Sequence, residues 1–273
     1  MAERRAPWLT LALALLAAVV LAPLAWVVLG SLKPSNLEVF DRPFAAPSRL
    51  AWENYARAVD EGHMGSYLVN SLLVTGLTVL LVVVLGAWAG HALSKRRFPL
   101  RPVFLALFVL GLALPVEAYL IHLGGVLEAL GLHDSLWALI LPYTAQSLPL
   151  AVLLFSAYFT TLPRELEEVA LLDGVSTARF YLTILLPLAR PVVATVAVLT
   201  ALHAWNEFLL ALLFVSDERA KTLPVGMIAF QQSHTTDYPA LLAGLSLISL
   251  VSLAGYVVFN RQVVRGVVEG AVK

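Results

Sequence analysis

The sequence contains no cysteine. Disulfides, iron–sulfur clusters and thiolate metal sites are therefore excluded. Charge is almost as scarce. Asp, Glu, Lys and Arg together make up 13% of the 273 residues, against about 25% in an ordinary soluble domain. Hydrophobic residues make up 60%. A soluble fold of this length needs a charged surface, and this chain has too few charges to cover one. The class that remains is an all-α, polytopic integral membrane protein, and soluble enzymes are set aside. An excess of either sign is also missing, with 18 basic and 18 acidic residues, so nothing calls for a nucleic-acid partner. Finally, no Gly-x4-Gly-Lys-Ser/Thr phosphate loop occurs. The chain is therefore expected to bind no ATP and to carry no cofactor of its own.

What the chain has is long uncharged stretches. A helix needs about 20 apolar residues to cross a bilayer. Residues 6–32, 62–94, 102–116, 135–163 and 238–260 carry no charge, and 191–216 carry only Glu207. This predicts a single transmembrane domain over residues 1–273 with six transmembrane helices, at 8–30, 67–93, 102–121, 135–160, 190–214 and 239–260. The first stretch is too long for a signal peptide and holds Pro23 and Trp26, so it reads as an uncleaved anchor. With the N-terminus inside, the cytoplasmic segments hold 12 of the 18 basic residues: Arg4, Arg5, Lys95, Arg96, Arg97, Arg101, Arg164, Arg179, Arg190, Arg261, Arg265 and Lys273. The positive-inside rule then puts both termini in the cytoplasm, with Lys95-Arg96-Arg97 as a stop-transfer cluster.

One loop is more than a connector. Residues 162–187 open on Leu162-Pro163, and Pro163 suits the first turn of a helix. Glu165, Glu167 and Glu168 crowd the N-terminal end, where they favour the helix dipole. Leu162, Leu166, Val169 and Ala170 recur on one face. Gly174 suits the left-handed residue that ends a helix, and Ser176 suits the N-cap of the next. Pro187 and Pro191 mark a kink into the fifth span. The spacing predicts a short amphipathic helix, turned sharply at a glycine. Membrane-surface helices are basic on their polar face. This one is acidic, which points to a protein partner.

The run Glu168-Val169-Ala170-Leu171-Leu172-Asp173-Gly174, followed by Tyr181, Leu186-Pro187 and Pro191, resembles the EAA loop of ABC importer permeases. Gly30-Ser31-Leu32-Lys33, Glu53-Asn54-Tyr55, Asn70-Ser71, Trp205-Asn206-Glu207-Phe208, Arg265-Gly266 and the tail Gly270-Ala271-Val272-Lys273 extend the resemblance along the chain. Together they resemble the carbohydrate-uptake branch, and within it the smaller six-span permease of maltose-type importers. The resemblance implies several partners. They are a second permease, usually different; two ATP-binding subunits that carry ATP and Mg; an extracytoplasmic sugar-binding protein; and the surrounding lipid of the inner membrane. It also implies that Glu168, Val169, Ala170, Leu171, Asp173, Gly174, Tyr181 and Pro187 couple this chain to the ATPase.

Polar groups within the spans are the other candidates, because a buried acid normally faces the bundle interior. Thr200, His203 and Glu207 fall at i, i+3 and i+7, on one predicted helical stripe with Asn206 beside it. Tyr143 and Gln146 lie between Pro142 and Pro149, a pattern that predicts a bent helix. Two readings stand for these six: a translocation path for a hydroxyl-rich ligand, or packing. Metal binding at His203 and Glu207 lacks a third ligand. His91 and His122 read as interfacial groups with no assigned role. Two rival functions follow from the same residues. An intramembrane serine protease is rejected, since Gly244-Leu245-Ser246-Leu247 lacks the second glycine of a nucleophile elbow. An ion-coupled secondary transporter with Glu207 as its proton or substrate site is the alternative kept.

Overall fold

A computed structural model describes residues 7–95, 98–163, 165–227 and 236–271. Arg96 and Arg97, Arg164, the loop residues Gln231–His234 and the tail residues Val272-Lys273 lie outside them, as do the side chains of Leu171 and Arg265. All regular structure among the described residues is helical. Uncharged, Leu- and Ala-rich sequence makes α1 (Pro7–Ser31), which runs through Pro23. Ser35 then caps α2 (Asn36–Asp41), its Oγ accepting from the Glu38 amide at 3.4 Å. Next come α3 (Glu53–Asp60) and the 32-residue α4 (Met64–Lys95).

The expected third span over 102–121 is not one helix. It is α5 (Arg101–Ala113), a 3-10 turn at Val116–Ala118, and α6 (Leu120–Ala129). Pro115 has no amide to give and forces Leu114 into an extended conformation, so the helix stops. Thirteen residues rise only about 20 Å. The fourth span is α7 (Trp137–Thr161), an unbroken helix that holds both Pro142 and Pro149. Then come α8 (Glu165–Leu172), α9 (Thr177–Phe180), a π turn at Tyr181–Leu185, and α10 (Leu186–Leu188). The chain bends 84° between Leu188 and Arg190. The expected fifth span over 190–214 is also divided, into α11 (Arg190–Asn206) and α12 (Leu209–Phe214). The chain closes with α13 (Leu223–Gly226) and α14 (Tyr238–Ala271). Four described helices are therefore long and apolar enough to cross a membrane, or five if the bent pair counts as one. The third and fifth expected spans are each divided into two helices, so six unbroken spanning helices are not seen among the described residues.

The chain divides into two compact bodies. One is Met1–Tyr67 with Leu223–Gly255. Its centre joins two motifs that are distant in sequence. Ser31 Oγ lies 2.8 Å from the Tyr55 hydroxyl, which also accepts from Ser246 at 3.1 Å. The Asn54 amide group donates to the carbonyls of Ser31 and Lys33 at 2.7 and 2.8 Å. Lys33 is 0% exposed. A buried ammonium is costly unless its three N–H groups are met. Here the carbonyls of Glu38, Arg42 and Pro43 meet them, at 3.3, 2.5 and 3.2 Å.

The other body is Leu68–Thr222 with Tyr256–Lys273. Its core holds Val82, Ala87, Ala151, Phe155, Phe159, Ala170, Phe180, Leu185, Ala189, Val192 and Val196. Side chains of α4, α7, α8, the π turn and α11 thus meet in one apolar cluster. Gly86 and Gly90 are spaced four apart on α4 and both face Phe155. This is the small-xxx-small pattern that lets two helix backbones come close. Asn70 ties the start of α4 to the chain ahead of α13, donating to the carbonyls of Arg219 and Lys221. Asp134 Oδ1 accepts from the amides of Ser216 and Asp217 at 2.5 and 3.2 Å. Those two amides hold its carboxyl below the usual carboxylate range.

Candidate functional site

The loop over 162–187 folds much as its residues dictate. Three acidic residues occupy the first turn of α8, at Glu165, Glu167 and Glu168. The helix ends at Gly174, whose φ of 71° is the left-handed conformation. Past it the Val175 amide reaches back to the Ala170 carbonyl at 2.9 Å, and the Asp173 amide to that of Val169 at 2.9 Å. The Ser176 side chain caps α9 through the Arg179 amide at 3.4 Å.

Ala170 is buried in the core and fixes α8 to the rest of the body. Much of the rest of α8 carries no cover. Leu166, Val169 and Leu172 are 38%, 55% and 87% exposed. Beside them Pro163, Leu166, Val169, Ala170, Val175 and Ile184 line a groove of about 330 Å³, with Glu165 and Asp173 at its edge. An apolar ridge thus stands next to a groove that Glu165 and Asp173 also line.

Two side chains of α4 hold this loop. His91 is buried, with Nδ1 2.5 Å from the Tyr181 hydroxyl and Nε2 3.6 Å from Glu167 Oε2. Its ring also packs edge-on against Phe159 and Tyr181. One turn later, Lys95 Nζ donates to the Leu162 carbonyl at 2.5 Å. Sequence reasoning gave His91 no role, and Lys95 only one in topology. No local signal marks either contact, since the partners lie 67 to 90 residues away.

The six polar candidates within the spans are only partly brought together. Tyr143 donates to Glu207 Oε2 at 2.5 Å, and His203 Nε2 lies 2.9 Å from Gln146 Oε1. The Tyr143 and His203 rings meet edge to face at 6.0 Å. Thr200 is buried along a cleft of about 230 Å³ that Gln146, Ser147 and His203 also line, among Leu112, Leu150, Leu154 and Leu199. Asn206 stands apart, folded back onto the Leu202 carbonyl at 2.8 Å. Among the described residues no three acidic or histidine side chains gather as a metal site.

Glu207 is not on the predicted stripe. It sits past the end of α11 with φ −67° and ψ 131°, outside helical geometry. Its carboxylate instead accepts from the amides of Leu210 and Ala211, at 2.9 and 3.3 Å, at the start of α12. The helix breaks because this acid satisfies the free amides of the next helix. With Tyr143 as a third donor, the group serves as a joint between α7, α11 and α12. Glu207→Ala leaves those three donors unmet. It is expected to lower stability by about 1–3 kcal/mol, read as a lower melting temperature in detergent. Glu207→Gln keeps an acceptor oxygen and is expected to lose less than half as much.

Residues 82–265 match the model of the family described as "Binding-protein-dependent transport system inner membrane component". The chain is 37% identical to "Probable ABC transporter permease protein YurM" of Bacillus subtilis (strain 168), over 97% of this chain and 87% of that protein. It is 34% identical to "Trehalose/maltose transport system permease protein MalG" of Thermococcus litoralis, over 95% of this chain and 94% of that one. In fold it is similar to a chain of a bacterial ABC transporter involved in the import of the acidic polysaccharide alginate. That match has a TM-score of 0.75 and 18% identity, and covers 92% of this chain and 94% of the other.

Proposed function

The chain belongs to the binding-protein-dependent transport system inner membrane component family, and from that membership we propose that it is the permease half of an ATP-driven, maltose-type sugar importer. Membership makes it a membrane transport subunit rather than an enzyme. Sugar as cargo is supported by the trehalose/maltose relative. ATP and Mg belong to two partner subunits in the cytoplasm, a second and different permease completes the path, and an extracytoplasmic protein delivers the sugar.

The observation that carries this reading is α8. It is anchored by Ala170 and leaves Leu166, Val169 and Leu172 uncovered. Glu168, Val169, Ala170, Asp173 and Gly174 build the helix and its stop. Tyr181 and Pro187 lie on the path from it to α11. ATP-driven closure of the partners pulls on α8, and the pull passes through the π turn to α11. The test is gentle co-purification of the chain from its native membrane with mass spectrometry of what comes with it. An ATP-binding subunit and a second permease are expected. Recovery of copies of this chain alone would overturn the heteromeric reading.

The ion-coupled alternative draws no support from the geometry, since Glu207 is engaged by three donors of its own chain. Glu207→Gln in the importer is expected to keep most uptake, whereas a proton-carrying residue would lose it all.

The binding protein meets the outer face, where Asp237 ends the loop that begins near Gln231. Charge reversal at Asp237 is expected to weaken stimulation of ATP hydrolysis by that protein. Asp237 also pairs with Arg57 at 2.7 Å, and both are about one-third exposed. Such a pair is worth at most about 1 kcal/mol, or about fivefold. Loss of that pair alone does not account for a larger fall, so the exchanged pair Arg57→Asp with Asp237→Arg is expected to stay as weak as the single reversal. Unchanged stimulation in the single reversal would remove Asp237 from the contact.

A further inference from the structure

We propose that His91 is a positioning residue that gives the α8 loop a second mechanical route into the membrane, through α4. The proposal rests on the reading of α8 as the ATPase-facing helix. The route through α10 and α11 follows the chain itself. The route through α4 runs through side chains of that helix and reaches across 67 to 90 residues of sequence.

The geometry fixes how the link works. A neutral imidazole has one donor and one acceptor nitrogen. With Nδ1 as acceptor, the Tyr181 hydroxyl donates to it at 2.5 Å. The hydrogen is then on Nε2, the nitrogen directed at Glu167 Oε2 at 3.6 Å. One ring therefore hydrogen-bonds the π turn, through Tyr181, and stands 3.6 Å from Glu167 of α8. Phe159 of α7, Phe180 and Tyr181 pack around that ring and leave it buried. Lys95, one turn further along the same face of α4, grips the Leu162 carbonyl at the entry to the loop. The entry, body and exit of the loop are thus held by a single turn and a half of one helix. A displacement of α8 cannot reach α11 without also loading α4.

Why this matters to transport follows from the packing further up. α4 crosses α7 at Gly86 and Gly90 with almost no spacing, and α7 carries Tyr143 and Gln146. Packed helices of this kind move as units rather than stretching. A pull delivered to α4 is therefore delivered to the polar cleft from the α7 side, while α11 delivers it from the His203 side.

The experiment uses the complete importer, co-expressed and purified with its partner subunits. Hydrogen–deuterium exchange is compared between the nucleotide-free state and the state trapped with ATP and vanadate, for α8, for α11 and for residues 88–95. In the wild type all three are expected to respond. In Tyr181→Phe, which removes one hydroxyl, and in His91→Phe, which keeps an aromatic ring in the pocket, the response of residues 88–95 is expected to fall about tenfold. The α8 and α11 responses stay. The double variant is expected to be no worse than either single one, because both changes cut the same link. A merely structural role would loosen residues 88–95 equally with and without nucleotide, and that result overturns the proposal. So does a wild-type response of residues 88–95 in Tyr181→Phe, which removes too little to prevent folding. A wild-type α8 that shows no response to trapping would overturn the α8 reading itself, and His91 with it.

Discussion

Gly90→Val is expected to leave little of the chain folded after extraction into detergent. A Cβ at this position would lie 2.5 Å from the Phe155 Cβ, 2.9 Å from the Ser156 amide nitrogen and 3.1 Å from the Phe155 carbonyl carbon. Two of these three atoms are backbone, so no rotamer change makes room. The helices must separate, and the core around Phe155 and Phe159 opens with them. Overpacking costs about 1–3 kcal/mol where side chains give way. Here the backbone has to move, so the loss belongs at or above the top of that range. Gly76→Ala is the matched control. Nothing lies within 4 Å of its Cβ, and alanine in place of glycine favours a helix interior by roughly 0.5–1 kcal/mol. The pair is read by melting temperature and by the monodisperse fraction in chromatography. A Gly90→Val chain that melts with the wild type would mean that α4 and α7 do not cross there.

The second large effect is on function and leaves the fold in place. Gly174→Val is expected to insert normally and to uncouple ATP hydrolysis from uptake. No atom lies within 4 Å of a Cβ at this site, so the substitution meets no clash. Its φ of 71° is the difficulty. Left-handed geometry costs an L-residue roughly 1–2 kcal/mol, and a β-branched side chain tolerates it least. The chain relieves that strain by leaving the left-handed region. The turn that returns Val175 to the Ala170 carbonyl then opens, and α8 loses its fixed angle to α9. Gly174→Asn, which tolerates this region better, is expected to fall in between. Uptake and ATP hydrolysis measured together in proteoliposomes give the ratio that decides. A wild-type ratio in the valine variant would remove the lever.

Much of this was legible in the sequence, and the successes and failures have distinct causes. α8 and its stop at Gly174 were readable because every signal is local: acids at the start, apolar spacing, a glycine at the end. Ser31, Lys33, Asn54 and Tyr55 were singled out as motif residues, and the fold joins them in one network. That Lys33 is buried was not foreseeable, since its carbonyl partners are brought round by α2. The helix break inside 102–121 is hard to read, because Pro115 and Glu117 sit in apolar surroundings and hydropathy outweighs the proline. Glu207 was misjudged for a related reason. A helical stripe was extended one residue too far, although an acid three positions before the Leu210 amide is itself a capping pattern. His91, Glu167 and Tyr181 had no readable connection, because no periodicity links residues that meet only after three helices have packed.

The π turn at Tyr181–Leu185 has a consequence for how the lever is aimed. A π turn holds one residue more than the α turn it replaces. The same revolution is spread over more residues, each turning less than the roughly 100° of an α-helical residue. Deleting a single residue between Tyr181 and Leu185 would therefore let the turn close as an ordinary α turn. Pro187, Ala189 and the 84° bend that follows would keep nearly the same bearing. The wide turn is a place where the chain takes in one residue without turning α11 aside.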